Sequence, residues 1–134
     1  MSEHQRAQGV IEVKTYVPTP YDERPDAPSV VEINVTEQFS GDLTGSGAVR
    51  FIQALRQDGS ASFCGIERID GDLAGRHGSF LLQDSGAVAG NLVKGTWFVV
   101  PGSGTGQLAG LRGEGDFEAQ LGQNARWTLN YWFQ

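Results

Sequence analysis

The sequence predicts an all-β domain built from eight strands. Three observations carry that expectation. Runs of alternating polar and apolar residues recur along the chain, 19 glycines fall mostly between those runs, and no segment has the length and uninterrupted 3.6-residue period of an ordinary helix. The 134 residues suit a single domain spanning 1–134, large enough to bury roughly two thirds of its unfolded surface around one core.

Taken in order, MSEHQRAQ (1–8) is charged and lacks an apolar segment, and it reads as a flexible tail. GVIEVKTYV (9–17) is the first strand. PTPYDERPDAPS (18–29) holds four of the five prolines, which donate no ladder hydrogen bonds, so a surface loop is expected there. Such a loop serves either as a solvated connection or as a rim over a cavity mouth. SVVEINVTEQF (29–39) is the second strand. GAVRFIQALR (47–56) places apolar residues near i, i+3 and i+4, but Gly47 and the following QDGS bracket a piece too short for a typical helix, and it is assigned as a strand. SASFCGIERI (60–69), GSFLLQD (78–84), NLVKGTWFVV (91–100), RGEGDFEAQ (112–120) and RWTLNYWFQ (126–134) complete the set. Eight strands suit a barrel.

The glycine-rich PGSGTGQLAGLRGEG (101–115) poses a choice between a phosphate cradle and a strand corner. A cradle leads straight into a helix whose N-terminus faces the phosphate. The glycines that follow here, each costing up to about 1 kcal/mol in a helix, disfavour one. The corner is the reading adopted. A related unit appears three times: SGDLTG from Ser40, DGDLAG from Asp70 and TGQLAG from Thr105, starting 30 and 35 residues apart. Its glycines supply positive φ, and its leucine can tuck under the corner as a plug. Convergent turn chemistry or an old duplication would both produce it.

Charge and composition exclude several functions. Ten Lys and Arg stand against 16 Asp and Glu, for a net charge of −6 without a basic face, so nucleic acid is not an expected partner. No apolar stretch reaches the roughly eighteen residues a membrane helix needs. The single cysteine, Cys64, permits no internal disulfide and fits a reducing compartment, so a cytoplasmic protein is expected. Metal ligation lacks a donor set, with His4 in the tail, His77 in a turn and Cys64 on a strand. Cys64 and His77 do not make a nucleophile pair, because the hairpin sets His77 beside Asp70, about 20 Å along the strand from Cys64. Ser103 has no histidine partner. No cofactor is expected.

The segments QFSGDLTG, DGSASFCGIERIDGDLAGRHGSF, WFVVPGSGTGQLAGLRGEGDF and LNYWF cover most of residues 37–133, and in that order and spacing the chain resembles a small uncharacterised bacterial family of the allene oxide cyclase-like β-barrels. The resemblance implies an eight-stranded antiparallel barrel, often a homo-oligomer, whose interior in the plant cyclases holds a fatty-acid epoxide and steers its ring closure. It implies no established catalytic residues for this branch.

Strand parity gives an independent view of the interior. Val31, Ile33, Val35, Glu37 and Phe39 form the more apolar side of the second strand, as do Trp127, Leu129, Tyr131 and Phe133 in the last. Ile11, Val13 and Val17 are set inward in the first strand, and Val93, Gly95, Trp97 and Val99 in the sixth. Trp132 faces outward, toward an interface or simple surface packing. Centring the DGDLAG turn between Leu73 and Ala74 pairs Glu67 with Phe80 and Gly65 with Leu82, so Phe63, Gly65, Glu67, Ile69, Phe80 and Leu82 share the inner face.

That face carries one carboxylate. Among rings and aliphatics Glu67 would lose hydration, its neutral form would be favoured, and it becomes the first candidate for a general acid or base. Glu37, near a strand end, is the second. Pairing of Glu67 with Arg50, Arg56 or Arg112, or a register slip that turns it to solvent, would make it merely structural. Phe63, Phe80, Leu82, Trp97, Trp127 and Tyr131 are the candidate ligand walls, although strand aromatics are more often core. The sequence thus supports a barrel that binds a small apolar molecule, either as a cofactor-free isomerase or cyclase using a buried carboxylate, or as a non-catalytic carrier. A structural oligomer whose barrel is filled by its own side chains is the third reading.

Overall fold

The computed structural model describes residues 3–134. Alternation along the chain folds into eight strands: β1 (Gln5–Asp22), β2 (Ser29–Gly41), β3 (Leu43–Leu55), β4 (Ala61–Leu73), β5 (Arg76–Ala89), β6 (Leu92–Val99), β7 (Leu111–Gln120) and β8 (Ala125–Phe133). Each pairs antiparallel with its sequence neighbour, and β1 also pairs with β8 from Gln5↔Tyr131 to Ile11↔Ala125, closing the barrel. Closure supplies the ladder partners that the outermost strands of an open sheet would lack. The AVRFIQALR segment lies in β3, as its flanking glycine and turn residues indicate.

The two ends of the barrel differ. At one end Phe39, Ile69, Phe80, Leu111, Trp127 and Leu129 are buried in a single apolar cluster. The leucines of the three repeated glycine units join it: Leu43, Leu73 and Leu108 are 2%, 1% and 0% exposed, so the unit acts as an end plug each time. At the other end Val31, Ile33, Val35 and Val49 form a smaller cluster with Phe51 and Leu55 against it.

Several expectations are corrected. The segment 1–8 is not a tail over its described part, because Gln5–Gln8 belong to β1 and His4 stacks on Trp132 with ring centroids 4.2 Å apart. Residues 1 and 2 lie outside the described residues. The proline-rich segment 18–29 is largely strand: β1 continues to Asp22, and only residues 23–28 form the connection. Pro18 and Pro20 are tolerated because β1 leaves β8 after Ile11 and thereafter has only β2 beside it, paired as Pro18↔Ile33 and Pro20↔Val31. A register shift between Val13 and Thr15 reverses the parity of β1, so Val17 opposes outward Asn34 and is 54% exposed, while Tyr16 opposes inward Val35. The corner after β6 contains one turn of 3-10 helix at Gly106–Leu108, which seats Leu108, where no helical residue was expected. A single such turn is a common connector.

The β4–β5 hairpin also turns one residue later than its sequence suggests, which moves every pairing partner by two. Ala74 and Gly75 both take positive φ, +51° and +83°, the backbone of a two-residue type I′ turn. Leu73 therefore pairs with Arg76, Glu67 with Leu82 and Gly65 with Asp84. An even shift leaves every side chain on its expected face, so Glu67 still points inward. What changes is the neighbour: Gly65 now stands opposite Asp84, which alternation from Phe80 and Leu82 places on the same inner face.

Candidate functional site

The site sits halfway along the barrel, where the packed end gives way to an open one. A cavity of about 520 Å³ fills the open end, with Ile33, Val35, Phe51, Phe63, Trp97 and Phe117 prominent in its wall. Rings form a continuous band there: Phe51 to Phe63 at 5.2 Å between centroids, Phe63 to Phe117 at 6.2 Å, and Phe117 to Trp97 at 5.0 Å. The band depends on Gly95, because a Cβ there would collide with the Phe117 ring. Tyr16 closes one side of the mouth, and the β7–β8 turn, from Gln120 to Asn124, the other.

Three carboxyl groups mark the inner limit of this cavity. Glu37 on β2 and Asp84 on β5 line it directly. Glu67 on β4 is fully buried and Asp84 is 2% exposed. Gly47 on β3 stands opposite Glu37, and a Cβ there would strike Glu67 Oε2 as well as crowd Phe39 and Ile69. Its bare backbone is what admits the Glu67 carboxyl.

Among the described residues, none forms an ion pair with these acids. Arg50 pairs with Glu32 at 3.0 Å and Asn34 at 3.1 Å, Arg56 with Ser60 and Ser62, and Arg112 with Gln134, all away from Glu67. Both Glu67 oxygens and Asp84 Oδ1 are buried without a hydrogen-bond donor. Neighbouring ionised carboxylates can only accept and repel one another, so a proton on one of them is favoured. Burial, then the Glu37 hydrogen bond and the charges of Glu37 and Asp84, hold Glu67 well above the ordinary carboxyl range. Of Glu37 and Glu67, the latter is the acid whose protonated form the surroundings favour more. Glu37 is raised by its own burial, opposed by that hydrogen bond. Burial and the Glu37 charge push Asp84 up to about 8.

The candidate residues from sequence divide between the two ends. Glu37, Phe63 and Trp97 line the cavity, and Glu67 lies just beneath it. Phe80, Leu82, Trp127 and Tyr131 are instead in the packed cluster, away from the cavity wall. Trp127 Nε1 donates to the Ser40 carbonyl at 3.3 Å and Tyr131 Oη to Gln5 Oε1 at 3.0 Å, so their polar atoms are committed to the fold. Asp84 was missed, yet alternation from Phe80 and Leu82 reaches it in one further step. Tyr16 was missed because the bulge in β1 hides its parity. Cys64 is exposed, and His77 meets Asp72 at 3.0 Å near the β4–β5 turn.

Among the described residues, no helix is long and apolar enough to cross a membrane. No curated protein matches the chain. A crystal structure of a protein of unknown function from Shewanella oneidensis MR-1 is similar, with a TM-score of 0.79 and 27% identity over 98% of this chain and 99% of that one. It too is from the DUF3224 family. Residues 7–131, nearly the whole barrel, match that same family, so this chain belongs to the family of proteins of unknown function DUF3224.

Proposed function

We propose that this chain is an allene oxide cyclase-like barrel that binds a small, mainly apolar molecule in its open end and shifts a proton on it without a cofactor. The carrying observation is a cavity of about 520 Å³ with aromatic and aliphatic walls that ends on carboxyl groups without counter-ions. Sites of this size and lining suit small ligands, and a few polar groups at one end fix their orientation.

Two adjacent carboxyls that share one proton are the minimum set for an isomerisation. The ionised one removes a proton from one carbon and, backed by its protonated neighbour, returns a proton to another, so nothing is oxidised and no proton is consumed. Glu37, in the cavity wall, takes the contacting role, and Glu67 acts behind it as proton reserve. The walls hold one conformer of the ligand, which supplies the entropic part of catalysis.

Native mass spectrometry of the purified protein tests for a retained small molecule. Incubating that molecule in deuterated water with the protein tests the chemistry: exchange of a carbon-bound hydrogen is expected with wild type and not with Glu67→Gln. Retention without exchange in either protein leaves a carrier. A cavity that takes up neither a retained molecule nor the neutral dye N-phenyl-1-naphthylamine overturns the ligand reading.

A further inference from the structure

We infer that the ligand of this cavity carries a positive charge: it is an apolar ammonium compound, bound with its cationic end between Glu37 and Asp84 and its hydrocarbon part against the aromatic band. The inference deepens the proposed function, resting on its claim that the cavity takes a ligand, and adds the ligand's chemical class.

Two independent features of the cavity point the same way. The first is the uncompensated acid. None of the ten Lys and Arg side chains is among the residues lining the cavity, and Asp84, almost wholly buried, leaves Oδ1 without a donor while its side chain lines the space. Buried carboxylates are ordinarily paired, and among the described residues none partners this oxygen. A ligand ammonium is the group that completes such a site.

The second feature is the wall. Tyr16, Phe51, Phe63, Trp97 and Phe117 surround the same space, and ring faces attract cations through their quadrupoles. A neutral hydrocarbon could be enclosed by aliphatic side chains alone. Five aromatics together with two acids form the combination that recognises alkylated ammonium groups.

The titratable groups facing this space are Glu37 from β2, Asp84 from β5 and the Tyr16 phenol from β1, with Glu67 of β4 buried behind them; among the described residues, β3, β6, β7 and β8 present none to the cavity. In the empty site the acids limit their mutual repulsion by holding protons. An entering cation favours their ionised forms, so binding releases protons near neutral pH and strengthens as pH rises toward the range where Asp84 ionises, about 8.

Calorimetric titration of the intact protein with benzyltrimethylammonium, and with its uncharged carbon isostere neopentylbenzene, tests this. The charge of the first is permanent, so any pH dependence reports on the protein. The cation is expected to bind at least about tenfold tighter than the isostere at pH 8, a ratio within reach of cation–π and ionic contacts together. The advantage should shrink at pH 5 and in both Asp84→Asn and Glu37→Gln, while neopentylbenzene binding persists in each variant and so certifies its fold. Equal or weaker binding of the cation, with the isostere bound, overturns the charge assignment and leaves the apolar-ligand reading standing. Binding of neither overturns both.

Discussion

Glu67 occupies the space that a side chain at Gly47 would need, so the most buried acid of the barrel and the bare backbone opposite Glu37 form one unit. Substitution at either position should therefore be felt through the other. Gly47→Ala is expected to destabilise the protein by about 1–3 kcal/mol, the usual cost of overpacking a close contact. In a Glu67→Ala background the same change should cost much less, because the colliding carboxyl is gone. Denaturant midpoints of the four proteins in the cycle measure the coupling; equal costs in both backgrounds would show the contact to be irrelevant.

The acids also set how stability varies with pH. Asp84 ionises near 3.8 when unfolded and about 8 when folded, so between these values the native state binds more protons. The stability this group contributes is full below about pH 4, declines as pH rises through about 8, and is on the order of 5 kcal/mol at most. Glu67, raised for the same reason, acts in the same direction. Asp84→Asn, which mimics the protonated form, should flatten the profile and exceed wild type in stability at pH 9. Thermal unfolding from pH 5 to 9 checks the slope, and a wild-type midpoint that climbs over that interval would contradict it.

Truncations should distinguish the packed end from the open one. Phe80, fully buried in the apolar cluster, is expected to cost about 3–5 kcal/mol as Phe80→Ala. Phe51 already borders a cavity and has fewer contacts to lose, so Phe51→Ala should cost clearly less, about 1–2 kcal/mol, while weakening uptake of N-phenyl-1-naphthylamine. Chemical unfolding and dye fluorescence are the two readouts. Similar losses at both positions would mean that the open end is as tightly packed as the closed one.

The free side of β1 gives a further expectation. Past Ile11 this strand has no neighbour on its β8 side, and Tyr16, Val17 and Tyr21 are 58%, 54% and 59% exposed. Pro18 and Pro20 keep the stretch from serving as a template for another chain. The double change Pro18→Thr and Pro20→Thr should raise concentration-dependent self-association several-fold while leaving the barrel intact. Light scattering across a dilution series would record it, and an unchanged mass distribution would remove this role from the prolines.

The sequence by itself determined the strand count, the inward facing of most side chains and the burial of Glu67, because period-two alternation is a local property and survives an even error in register. The glycine units showed where corners fall and that their leucines are plugs. Only the tertiary structure decided that Glu37, Glu67 and Asp84 share one region, since three different strands bring them together and their convergence depends on the turn at Ala74–Gly75, the gap at Gly47 and the closure of β1 on β8. It also decided which aromatics plug the barrel and which line its cavity. Parity assigns a side chain to the inner face, but depth along the barrel axis follows from strand stagger, which no single strand encodes.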